Sequence, residues 1–79
     1  MNLEKKVIAI ISHVIKTPES QLTAGAGLYR VAGWDSLCHI TLVIELENVF
    51  DIAFEFDELD KIVTVEAIIN SLKEKGVAA

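Results

Sequence analysis

The side chains best suited to chemistry in this 79-residue chain stand together at Asp35, Ser36 and His39, with Cys38 among them. Acid, hydroxyl and imidazole are the residue types of a hydrolase triad, but Ser36 and His39 are neighbours on what reads as one helix. No glycine-rich nucleophile elbow or evident oxyanion hole accompanies them. His13, Cys38 and His39 are of metal-ligating type, yet no recognised ligand spacing joins them, and Cys38 reads as a partly buried small hydrophobe. Gly25, Gly27 and Gly33 lack the lysine-serine or lysine-threonine pair of a nucleotide-binding loop. What remains is a lone hydroxyl in Gly33-Trp34-Asp35-Ser36-Leu37 at the start of a helical pattern. Such a residue suits modification by another enzyme better than catalysis of its own.

The elements that position Ser36 read as helices throughout. Leu3, Val7, Ile10, Ile11 and Val14 recur at spacings of three and four and predict a first helix over about residues 3–16, ended at Thr17-Pro18. From there to Asp35 no period is sustained, and the stretch reads as a long loop pinned to the core by Leu22, Leu28 and Val31. A second helix is expected over about 36–51, with Asp35 or Ser36 near its N-cap and Leu42, Val43, Leu46, Val49 and Phe50 facing inward. Asp57 is expected to cap a short helix through Leu59 and Ile62. The last helix has Thr64 as N-cap, Glu66 in its first turn and Val65, Ile68, Ile69 and Leu72 as its buried stripe. Val63 against Ile68 forms a staple, and Lys73, Lys75 and Gly76 favour its end. Phe50, Phe54 and Phe56 read as core and loop anchors, and Trp34 either covers the core at the loop end or meets a bound group. The expected fold is all-α: a small antiparallel four-helix bundle of three longer helices and one short one, with a long first loop, forming a single domain over 1–79.

Composition narrows the partners. With 52% hydrophobic residues the chain is too apolar for disorder, and at this length it has one core of modest stability. A single cysteine excludes an internal disulfide, and with no secretory leader or membrane-length apolar run the expected compartment is the cytoplasm. Between Val31 and Asp60 there are eight acids and no lysine or arginine, within a chain whose net charge is −5. That field repels nucleic acid and anionic membrane and favours a partner with a basic patch. A solvated face serving solubility is the plainer reading of the same charge.

Projected at 100° per residue, the second helix has two apolar faces. Beside the core stripe, Leu37, Ile40 and Ile44 form another, flanked by Ser36, Glu47 and Asp51 on one side and by Thr41, Glu45 and Asn48 on the other. This second stripe either packs beneath the long loop or docks a partner beside Ser36.

Asp35-Ser36-Leu37, followed by Leu42, Leu46-Glu47, Phe50-Asp51, Asp60-Lys61-Ile62 and Thr64-Val65, resembles the acyl carrier proteins over nearly the whole chain. The tripeptide alone is a weak motif, but tripeptide, helix order, spacing and acidic charge together are specific. The resemblance implies that a separate phosphopantetheinyl transferase attaches 4'-phosphopantetheine from coenzyme A to Ser36 through a phosphodiester. The arm's thiol then carries acyl groups as thioesters, and the chain itself is not an enzyme. A helix N-terminus suits the phosphodiester, because unpaired N–H groups and the helix dipole favour negative charge. By the same resemblance Asp35 helps engage the transferase and Leu37 fills an apolar recess on it. Leu37, Ile40 and Ile44, with Glu45 and Glu47 beside them, would dock acyl-loading and acyl-transferring enzymes that bear basic patches. The carrier is expected to be a monomer, and its small core of Ile, Val and Leu is expected to loosen enough to admit an acyl chain between helices.

Departures from the family pattern point to a specialised member. Cys38, Thr41, Asn48 and Val49 stand where fatty-acid carriers are commonly acidic, and Trp34 is more typical of stand-alone carriers in specialised acyl or polyketide-type pathways. Peptidyl and D-alanyl carriers share the fold and the serine, and an unmodified acidic helical domain that binds a protein is the competing class.

Overall fold

A computed structural model describes residues 3–77. The order is α1 (Leu3–Ile15), a 3₁₀ turn (Glu19–Gln21), α2 (Ser36–Phe50), a second 3₁₀ turn (Phe56–Glu58) and α3 (Val65–Glu74). The described residues are thus all-helical as expected, with three α-helices. The short fourth helix expected through Leu59 and Ile62 is a single 3₁₀ turn, and it starts after Glu55 instead of at an Asp57 cap. The Glu58 carboxylate accepts the Glu55 N–H at 3.3 Å, as in a capping box, and pairs with Lys75 Nζ at 2.8 Å, fastening the turn to the end of α3.

The core forms where the apolar periods of the three helices meet. Val7 and Ile11 from α1, Leu42 and Leu46 from α2 and Ile68 and Leu72 from α3 are all completely buried. Side chains of this kind stabilise by about 1.5–3 kcal/mol each when removed from water. Leu22, Ala26, Trp34, Phe54 and Ile62 fill the remaining space from the connections. Leu22 anchors the long loop as expected, with Leu28 and Val31 partly buried beside it. Two expected anchors do not bury: Val49 is half exposed on α2, and Phe56 is 90% exposed. Val49 lies just beyond the edge of the stripe occupied by Leu42 and Leu46, and Phe56 is carried outward by the tight 3₁₀ turn.

Helix ends explain the turns. Lys16 and Asp51 take left-handed backbone angles after α1 and α2, a role more often given to glycine, whereas α3 ends at Gly76, φ 86°. Thr17 N–H reaches back to Ser12 C=O at 3.3 Å, and Thr17 Oγ1 donates to Ala32 C=O at 3.0 Å, tying the end of α1 to the end of the long loop. That loop is ordered by backbone pairing with the start of α3. Leu28 N–H donates to Val63 C=O at 2.8 Å, and Val65 N–H to Ala26 C=O at 2.9 Å, around an isolated antiparallel bridge of Gly27 with Thr64.

Candidate functional site

Gly33, Trp34 and Asp35 together deliver Ser36 to the surface. Gly33 has φ 89°, and a Cβ there would lie 2.7 Å from the Ile15 carbonyl oxygen, so the chain passes α1 at a place only glycine fits. Trp34 is 1% exposed and is therefore a core residue, which resolves the two readings of its role. Asp35, in extended conformation, is the N-cap of α2, its carboxylate accepting the Cys38 N–H at 2.9 Å. That hydrogen bond holds the Asp35 carboxyl below the usual carboxylate range.

Ser36 is the first residue of α2 and is exposed. Among the described residues no hydrogen bond joins its hydroxyl to a base. His39, one turn on, is buried and turned inward: Trp34 Nε1–H donates to His39 Nδ1 at 3.0 Å, and His39 Nε2 is sealed from solvent. Burial pushes the imidazole pKa down, so His39 is neutral there. The triad residue types are therefore present in sequence but split in space between surface and core. Cys38 is likewise unsuited to act as a thiolate, because burial, reinforced by the charge of Asp35, raises its pKa. Among the described residues no group of three or more His, Cys, Asp or Glu side chains is placed to hold a metal ion, and no helix is long and apolar enough to cross a membrane.

The second apolar face of α2 lies open to solvent. Leu37, Ile40 and Ile44 are 74%, 58% and 53% exposed, so the long loop does not cover them. Glu45 is exposed beside them. Glu47 is placed differently from the sequence reading: it is half-buried, and its Oε2 accepts the Phe54 N–H at 2.9 Å, tying the chain after α2 back onto the helix. The Trp34–His39 pair is what sequence reasoning missed. The five-residue spacing across a helix start carried no period, and only the inward turn of both rings brings them together. A cleft of about 540 Å³ lies away from Ser36 between the second 3₁₀ turn and α3, with Glu55, Asp57, Glu58 and Glu74 on its rim.

An exposed serine at the N-terminus of a 15-residue helix fits a covalently attached phosphodiester. Comparison with known proteins agrees. Residues 5–72 match the family described as the phosphopantetheine attachment site. An acyl carrier protein of Syntrophus aciditrophicus (strain SB) is 31% identical over 77 residues, spanning 98% of this chain and 96% of that one. The acyl carrier protein of Thermotoga maritima is 37% identical over 70 residues, 89% of this chain and 86% of the relative. That of Amoebophilus asiaticus (strain 5a2) is 32% identical over 73 residues, 92% and 91% of the two chains. An outward hydroxyl at a helix start, on an all-helical core matched over nearly its full length, places this chain in the acyl carrier protein family, whose prosthetic group is a covalent 4'-phosphopantetheine.

Proposed function

We propose that Ser36 is the attachment point of the 4'-phosphopantetheine arm, and that the protein presents acyl groups to partner enzymes of fatty-acid or polyketide-type synthesis. The observation that carries this reading is the exposed Ser36 hydroxyl at the N-terminus of α2 beside an uncovered apolar stripe. When bound, the arm supplies a thiol that holds acyl groups as thioesters. The chain's own residues orient and recognise. Asp35 caps the helix and keeps Ser36 at its mouth, while the α2 N-terminus favours the phosphodiester charge. A separate phosphopantetheinyl transferase supplies the base for the Ser36 proton, because His39 and Asp35 are both committed elsewhere.

Leu37, Ile40 and Ile44 supply the apolar contact for that transferase and for the acyl-loading and acyl-transferring enzymes, and Glu45 supplies charge toward a basic patch. Glu47 adds its charge at the flank while holding Phe54. Reversal of Glu45 to lysine is therefore the cleaner docking test, since reversal of Glu47 also releases the chain after α2. The 3₁₀ turn at Phe56–Glu58 stands where the fourth helix of an antiparallel carrier bundle would stand. The missing acids at Cys38, Thr41, Asn48 and Val49 support a specialised carrier over a general fatty-acid one.

The test is direct. Incubated with coenzyme A and a broad-specificity transferase, the wild-type chain gains the mass of one arm and Ser36→Ala gains none. A wild type that stays at its starting mass with several transferases would leave an unmodified interaction domain as the better account.

A further inference from the structure

Trp34 stands immediately before the Asp35 cap, and His39 is the fourth residue of α2. An apolar pair at these two positions is a staple that fixes the angle at which a chain enters its helix. Here the pair is bonded as well as packed. The two buried rings lie 6.1 Å apart between centroids with their planes 28° apart, and Trp34 Nε1–H donates to His39 Nδ1 at 3.0 Å. Packing alone does not account for the imidazole. Its Nε2 is sealed from solvent and has no hydrogen-bond partner among the described residues, a cost that phenylalanine in the same place would avoid. What histidine adds over phenylalanine is the directed acceptor at Nδ1. Two other bonds close the first turn of α2: His39 N–H donates to Asp35 C=O at 2.8 Å, and Cys38 N–H to the Asp35 carboxylate at 2.9 Å. Both run within the helix and its cap, so neither sets the direction from which the chain arrives. Trp34 itself is held on the loop side, where its N–H donates to Val31 C=O at 3.0 Å and its C=O accepts the Tyr29 N–H at 2.8 Å. The indole bond therefore links that loop turn to the body of α2, and Asp35 and Ser36 lie within the span it closes.

We infer that His39 is a positioning residue for Ser36: by accepting from the Trp34 indole it fixes the entry angle of α2, and with it the place of the hydroxyl relative to the stripe of Leu37, Ile40 and Ile44. The inference rests on Ser36 being the residue that receives the arm. A transferase that grips the stripe then meets a hydroxyl whose place is already set. Displacing that nucleophile by a fraction of an ångström lowers the rate of attack without weakening the grip. His39 acts through Trp34 alone, since its Nδ1 is engaged and its Nε2 is sealed.

The test measures how fast a broad-specificity transferase loads the whole protein from coenzyme A, read by intact mass, with wild type, Trp34→Phe, His39→Phe and the double variant as the varied substrate. Each single change breaks the bond and leaves a buried partner unpaired, whereas the double removes donor and acceptor together and should regain the thermal stability that the singles lose. Loading should nevertheless stay slow in all three, with kcat about tenfold below wild type and KM unchanged. A double variant that regains the wild-type kcat along with its stability marks the pair as merely structural and overturns the inference. A loss that falls on KM instead does the same. Should a single variant fail to fold, the double decides. The indole N–H of Trp34, the chain's single tryptophan, reports the bond directly by NMR. Its resonance should move and exchange faster with solvent in His39→Phe, and an unchanged signal overturns the inference. A wild type that loads while every variant keeps pace removes this inference alone, whereas a wild type that never loads removes the carrier reading and this inference with it.

Discussion

At the start of α3 the first N–H groups are closed off from within. Val65 and Glu66 donate to the loop carbonyls of Ala26 and Ala24 at 2.9 and 3.2 Å, and Ala67 donates to Thr64 Oγ1 at 3.1 Å. At the start of α2 the Asp35 carboxylate takes the Cys38 N–H in the same way, but among the described residues no loop carbonyl accepts from the Ser36 or Leu37 N–H. One helix mouth is a structural joint and the other is a socket. A cap side chain contributes similarly to a helix in either place, so the difference lies in what the neighbouring chain does. Around α3 carbonyls of the long loop accept the first N–H groups, whereas before α2 the same loop passes close to Ile15 at Gly33 and buries Trp34.

If the α2 mouth is held by the loop at Gly33 and Trp34, removing that support should do the most damage. Trp34→Ala should cost about 3–5 kcal/mol in denaturant-induced unfolding, because it empties a core site and strips His39 Nδ1 of its donor. A loss below about 1 kcal/mol would show that the loop, not the ring, holds Ser36 in place. Gly33→Ala should follow at about 1–3 kcal/mol, since φ 89° and the nearby Ile15 carbonyl both oppose a Cβ. The two caps then sharpen the comparison. Thr64→Ala should cost about 1 kcal/mol and leave arm attachment at its wild-type rate. Asp35→Ala should destabilise in the same direction and also slow attachment, measured by intact mass over time. Equal attachment rates in the two variants would erase the distinction between joint and socket.

The smallest expected effect is on pH dependence. The folded state lowers the His39 pKa, so the unfolded chain takes up the proton first as pH falls below the ordinary imidazole value of about 6.5. Stability is therefore full above that value, declines as pH drops from it toward the lowered folded pKa, and levels off below that until the carboxylates titrate. Asp35 and Glu58, both lowered, add a further loss at more acid pH. In His39→Gln the first decline should disappear while the acid one stays, as read from midpoints of thermal unfolding across the range.

Much of the fold was legible because its causes are local. The period of Leu3, Val7 and Ile11, the Thr64 cap and the stripe of Val65, Ile68, Ile69 and Leu72 all appear where spacing put them. Ser36 at a helix start was legible for the same reason. Errors arose where a residue's environment is made by distant chain. Val49 and Phe56 fit a core pattern yet face water, and Glu47 fits an outward acid yet holds Phe54. Lys16 and Asp51 end their helices in a conformation that side-chain type does not announce.

What the sequence determined by itself is the three longer helices, a cap at Asp35 or Ser36, the acidic field and a lone hydroxyl at a helix start, since each follows from neighbours within a few residues or from summed charge. Only the tertiary structure decided which apolar face of α2 stays bare, that Trp34 and His39 turn inward together, and that one helix mouth is closed while the other is open. Those outcomes depend on where the loop between α1 and α2 lies. Its path is set by backbone pairing with Val63 and Val65, more than thirty residues away along the chain, and by close passage past Ile15.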